Sequence, residues 1–125
     1  MQQYPAGRWH GPAAYFGLHY DLHALESDTE LGLCATPEQL VPVLEQIKPD
    51  FVQTDCKGHP GYTSWFSETP EASVPPHLQA DALLGWRQAT RQLGIPLHCH
   101  YSGIWDKAAG KKHPEWTRID KDGKH

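Results

Sequence analysis

Phe51-Val52-Gln53-Thr54-Asp55-Cys56-Lys57-Gly58-His59-Pro60-Gly61-Tyr62-Thr63-Ser64-Trp65 opens as a short apolar strand and passes at once into a polar loop rich in rings. The same move recurs in Ile95-Pro96-Leu97-His98-Cys99-His100-Tyr101-Ser102, where a strand again runs into histidines and a tyrosine. Parallel α/β folds keep their chemistry just past the C-terminal ends of their strands, because the strand fixes side-chain directions while the following loop is free to vary. Two such ends in succession predict the substrate face of an enzyme, and only part of one.

Working outward, Thr36-Pro37-Glu38-Gln39 reads as a helix start: Thr36 at the cap, Pro37 at the first helical position, and Gln39 closing a capping box. Leu40, Val43, Leu44 and Ile47 then repeat at i, i+3, i+4 and i+7, the stripe of a helix laid on a sheet. Pro42 is expected to bend this helix or loosen its first turn, and Lys48-Pro49-Asp50 ends it. A second helix is predicted from about Gln79 to Leu93, closed by Gly94. Before both, Tyr15 to Asp21 alternates large apolar residues with Gly17, His19 and Asp21, a period-two strand that places His19 and Asp21 on one face. Tyr4 to Ala13 reads as an aperiodic arm, the long stretch from Asp55 to Gln79 as a functional loop, and residues 106–125 as a polar loop after strand three. Strand, helix, strand, helix, strand is the order of βα units joined by right-handed crossovers.

Three parallel strands leave backbone groups unpaired on both sides, so the chain is expected to be an N-terminal fragment of a larger barrel and to fold poorly by itself. The net charge of −4 is unevenly spread: five basic residues oppose eleven acidic ones through Trp105, while the last twenty residues carry six and four. That spacing of cations is too sparse to track phosphates, so nucleic acid is not an expected partner. Cys34, Cys56 and Cys99 form no CxxC pair, which argues against a zinc ribbon or a disulfide framework and fits free thiols. Met1 to Trp9 lacks the basic start and apolar run of a signal peptide, and no stretch has membrane-spanning length. A cytoplasmic location away from the membrane is expected.

The segment Lys48 to Trp65 resembles the second strand and loop of family 29 glycoside hydrolases, the α-L-fucosidases, where a Lys-His-His-Asp-Gly-Phe text precedes a Trp. Leu83 to Trp105, with Trp86 to Gly94 leading into Tyr101-Ser102 and Trp105, is similar to that family's next helix and strand. Lys57, His59, Gly61, Tyr62 and Trp65 match residue by residue, whereas Gly58 and Pro60 stand where the family has its first His and its Asp. Phe16-Gly17 matches the first strand, but the family's strand-one His falls on Asp21 unless a shift brings His19 into its place. The resemblance covers about half the chain. It implies the first three βα units of a (β/α)8 TIM barrel of glycosidase type and a fucosidase-related hydrolase acting on O-glycosidic bonds. It also implies a nucleophilic Asp after the fourth strand, beyond His125.

Saccharides present C–H faces and crowded hydroxyls, so their sites pair aromatic platforms with His, Asp and Lys as donors and acceptors. His19, Asp21, Asp55, Lys57, His59, Trp65, His100 and Tyr101 are the expected substrate contacts, with no cofactor and no metal implied by the resemblance. Carbohydrate is the expected partner, and the full-length barrel could assemble as a homo-oligomer. Trp105 and Trp116 read as packing or lid residues. Two rival readings remain. His98 and His100, two apart on a strand, could share a metal with His19 and Asp21 nearby, as in metal-dependent barrel hydrolases, or the chain could bind carbohydrate without catalysis.

Overall fold

The computed structural model describes residues 14–124, so the arm at Tyr4 to Ala13 and the final His125 lie outside the described residues. Strands β1 (Gly17–Tyr20), β2 (Phe51–Lys57) and β3 (Leu97–Tyr101) form a parallel sheet in the order β1-β2-β3. Helix α1 (Pro37–Ile47) joins the first pair of strands and α2 (Ala82–Leu93) the second. Gly17 pairs with Phe51 and Val52 with Leu97, which sets His19 beside Gln53 and His100 beside Asp55. The expected alternation of strand and helix is present, and all three strands point the same way.

The first strand is shorter than its period-two pattern. Tyr15 and Phe16 give their backbone N–H groups to the Asp50 carboxylate (2.9 and 2.8 Å), so a side chain takes the place of the ladder there. The second strand is longer, running through Asp55, Cys56 and Lys57, with its register to β3 shifting between Asp55 and Lys57. Those three residues therefore belong to the strand end and not to the loop.

Thr36 is the N-cap of α1, but no capping box forms. The Thr36 carbonyl accepts the N–H groups of Gln39 and Leu40 (3.1 and 2.9 Å), and the Thr36 side chain makes no capping hydrogen bond. Pro42 sits inside α1 without ending it, and Lys48 stops the helix in the left-handed conformation, its N–H returning to Leu44. Helix α2 starts later than the apolar pattern predicts. The Asp81 carboxylate accepts the Leu84 N–H at 2.7 Å, a cap that sets the first turn, and Gly94 closes the other end at φ 68°.

Both helices lie on one face of the sheet. Leu40, Leu44, Val52, Ala82, Trp86 and Ala89 form the buried core, with Leu18, Leu93 and Leu97 packed around it. Leu44 and Val52 are fully buried, each contributing about 1.5–3 kcal/mol of apolar transfer free energy. Only half of the predicted α1 stripe is buried: Val43 and Ile47 remain on the outer flank. Gly85 of α2 abuts the chain ahead of α1, where a Cβ would lie 1.6 Å from the Ala35 carbonyl oxygen. Cys56 is buried with its thiol donating to the His100 carbonyl at 3.0 Å, and burial pushes that thiol above its ordinary range.

Residues 106–125 differ most from expectation, because the polar stretch contains helix α3 (Lys107–Lys112) and a 3-10 turn (Pro114–Trp116). Asp106 caps α3 by accepting from Ala109 N–H at 2.8 Å. The helix start docks on the loop after β2, Lys107 and Ala108 giving their N–H groups to the carbonyls of His59 and Pro60 (3.2 and 3.0 Å). No apolar period announces so short a helix; the cap and the docking partner make it.

The far end of this segment is tied down by charge. His113 lies against Glu71 (3.1 Å) and Glu115 (3.2 Å) and stacks on Trp116 with ring centroids 3.7 Å apart. The Glu71 contact, aided by Glu115, raises the His113 pKa above its ordinary 6.5. A raised folded-state pKa means that the contribution is complete below about pH 6.5 and is lost as pH rises through the raised value. Trp116 fluorescence is expected to report a looser segment at pH 8.5 than at pH 6, with the difference shrinking in 1 M salt. A pH-independent signal contradicts the pairing. Among the described residues, no helix is long and apolar enough to cross a membrane.

Candidate functional site

The sheet face away from the helices carries the polar residues, and they gather where the three strands end. Asp55, near the end of β2, is the centre, its side chain 1% exposed. Its Oδ1 accepts from His100 Nδ1 at 2.8 Å and lies 3.4 Å from His19 Nε2. Its Oδ2 lies 3.5 Å from His23 Nε2 and has no hydrogen-bond partner among the described residues. His23 Nε2 is also 3.0 Å from Asp21 Oδ1. One buried carboxylate thus ties the ends of β1 and β3 together through imidazoles.

The next layer is built on His59. Its Nδ1 is 2.8 Å from Ser102 Oγ, and Ser102 Oγ donates its only proton to the Trp105 carbonyl, also at 2.8 Å. Ser102 must therefore accept from His59 Nδ1–H, which leaves Nε2 of the neutral ring as an acceptor. The same logic applies to His100, whose Nδ1–H is spent on Asp55 and whose Nε2 is left to a ligand. The His59 ring lies 4.9 Å from that of His23 and 5.4 Å from that of Trp105. His59, His100, Tyr101, Ser102 and Trp105 line a cavity of about 390 Å³ at the strand ends. A larger hollow of about 460 Å³, between Tyr20 and the loop from Ser27 to Ala35, contains none of these histidines.

Lys57 points elsewhere. It is 5% exposed, its ammonium paired with Asp106 and bonded to the Ser102 carbonyl at 3.3 Å, and it sits 4.5 Å from the centre of the Tyr101 ring. These contacts fasten α3 to β2 and β3. Trp65 lines a neighbouring cavity of about 250 Å³ with Lys57, Thr63, Tyr101 and Asp106, and Tyr101 is shared between the two cavities.

Of the eight residues expected to contact substrate, His19, Asp21, Asp55 and His100 come together around one carboxylate, and His59 and Tyr101 border the cavity beside them. Lys57 and Trp65 line the neighbouring cavity instead. His98 does not join the cluster. It lies edge-on to Phe51 with ring centroids 5.9 Å apart, one pleat below His100. His23, Ser102 and Asp106 escaped the sequence reading. His23 follows His19 and Asp21 at the same two-residue step, a signal that was available past the strand end. Trp105, read as a packing or lid residue, is largely exposed at the cavity.

The sequence matches no protein-family model and no curated protein. The fold is similar to part of the α-L-fucosidase isoenzyme 2 from Paenibacillus thiaminolyticus, with a TM-score of 0.77 over 87% of this chain at 19% identity. The chain spans 16% of that enzyme's length. At that identity the likeness is one of fold: a three-stranded parallel sheet with its helices, compatible with a piece of a fucosidase domain.

Proposed function

We propose that this chain supplies part of the sugar-binding face of a (β/α)8 glycoside hydrolase, one that cleaves O-glycosidic bonds in the manner of an α-L-fucosidase. The observation that carries the reading is the cavity at the strand ends, lined together by the rings of Tyr101 and Trp105 and by two imidazoles, His59 and His100, whose Nε2 atoms meet no hydrogen-bond donor among the described residues. A pyranose needs that pairing: acceptors for its hydroxyls and a ring for its C–H face. The fold likeness to a fucosidase supports the same class of reaction. Within the proposal, the strands that would close the barrel and the carboxylate nucleophile come from beyond this chain. The residues here bind and orient the sugar.

The test is binding and hydrolysis of 4-nitrophenyl α-L-fucoside by the full-length protein, with His59→Ala as the variant. A lost hydrogen bond from a sugar hydroxyl is worth about 1.5 kcal/mol, so kcat/KM is expected to fall roughly tenfold or more. Wild-type kinetics in that variant would remove His59 from the site, and failure of aryl glycosides of every sugar to bind would sink the reading.

A further inference from the structure

We propose that His19, Asp21 and Asp55 hold a divalent transition-metal ion of the zinc class at the ends of β1 and β2, beside the cavity and not within it. One potential ligand atom from each of the three lies within 4.8 Å of those from the other two. The spacings among these three residues and the neighbouring His23 approach those of a coordination shell. Zn–N and Zn–O bonds of about 2.0–2.2 Å in a tetrahedron put neighbouring ligand atoms about 3.4 Å apart. His19 Nε2 stands 3.4 Å from Asp55 Oδ1, and His23 Nε2 stands 3.5 Å from Asp55 Oδ2 and 3.0 Å from Asp21 Oδ1.

The independent observation is the orphaned oxygen. Asp55 is 1% exposed, yet its Oδ2 accepts no hydrogen bond from any described residue. An ionised oxygen withdrawn from water without a donor is costly, and buried charges are ordinarily paired or bound to metal. His23 at 3.5 Å is too far to satisfy it, but a cation between the two would. Mixed imidazole and carboxylate donors suit zinc and its neighbours in the first transition row better than magnesium or calcium, which take oxygen alone.

The roles divide cleanly around Asp55. Oδ1 accepts the His100 Nδ1–H, fixing the ring that faces the cavity, and its other lone pair faces His19 Nε2 at 3.4 Å, while Oδ2 is available to the ion. Carboxylates that bind metal are themselves ordinarily held by a further hydrogen bond, which His100 supplies here. His19 bound through Nε2 carries its proton on Nδ1, and His23 is placed to add a fourth ligand or to hold Asp21. The site does not rest on the saccharide reading: zinc binding by a protein that ignores aryl glycosides keeps this inference and discards the other.

The experiment is equilibrium dialysis of the purified full chain against micromolar Zn²⁺ with elemental analysis, repeated with Co²⁺ to read its visible ligand-field absorption. One ion per chain is expected. His19→Ala and Asp21→Asn, both at solvent-exposed side chains and checked for wild-type circular dichroism, should each weaken zinc binding tenfold or more. His113→Ala, which removes the separate Glu71–His113–Glu115 cluster, should leave it unchanged. No retained zinc, wild-type affinity in both His19→Ala and Asp21→Asn, or loss of the ion in His113→Ala would each overturn the proposal.

Discussion

On the proposed sugar-binding role, Asp55→Asn is expected to lower the affinity for an aryl α-L-fucoside, and kcat/KM with it, by roughly a hundredfold, equivalent to about 2.7 kcal/mol. The reasoning starts from geometry. His100 is aimed by its 2.8 Å bond to Asp55 Oδ1, and three further groups, His19, His23 and Asp21, are arranged around the same carboxyl. An amide keeps the shape but replaces one oxygen by an NH₂ donor facing an imidazole. With the NH₂ toward His100 the ring turns or changes tautomer and its Nε2 ceases to be an acceptor; with the NH₂ toward His23 the charge that aligns the surrounding imidazoles is lost. Small displacements of a positioning group cost this much because binding depends on alignment.

Fold stability should respond far less than function. A carboxylate with an orphaned oxygen is itself a cost to the fold, so removing its charge offsets part of what is lost. Denaturant midpoints measured beside affinity separate the two effects. A variant that keeps wild-type affinity, or one that loses affinity only because it is unfolded, contradicts the positioning role of Asp55.

Gly85→Ala is expected to destabilise the fold by about 3 kcal/mol. A Cβ at Gly85 would sit 1.6 Å from the Ala35 carbonyl oxygen, and backbone, unlike a flexible side chain, cannot swing aside. Helix α2 would have to lift from the chain entering α1, opening the packing among Ala35, Ala82, Trp86 and Ala89. In an ordinary solvent-exposed helix the same change stabilises by about 1 kcal/mol, so the sign of the effect is the discriminating result. A rise in the urea midpoint would show that the two segments do not touch as described.

Much of the fold is legible in the residues. Ile95 to Tyr101 and Phe51 to Thr54 read as strands from their apolar runs, and α1 and α2 from their 3.6-residue stripes and terminal signals. Boundaries followed side-chain chemistry more than periodicity. Asp81 set the start of α2, and Asp50 took over the N–H groups of Tyr15 and Phe16 that an alternating pattern assigns to a ladder. Helix α3 was hidden because six residues are too few for a hydrophobic period, and its stability comes from docking on His59 and Pro60.

The site was legible as a list and not as an arrangement. His19, Asp55, His59 and His100 follow from one rule, that chemistry collects past strand ends, and that rule needs only the order of strands along the chain. Sequence alone therefore determined the parallel α/β class, the order of its elements and the pool of reactive side chains, because local backbone preference and apolar spacing are properties of neighbouring residues. Tertiary structure alone decided that Asp55 is the hub, that Lys57 is spent on Asp106, and that His23 faces His59. Those outcomes depend on register, on the shift between Asp55 and Lys57, and on which oxygen meets which ring across distances of more than thirty residues, where no local preference acts.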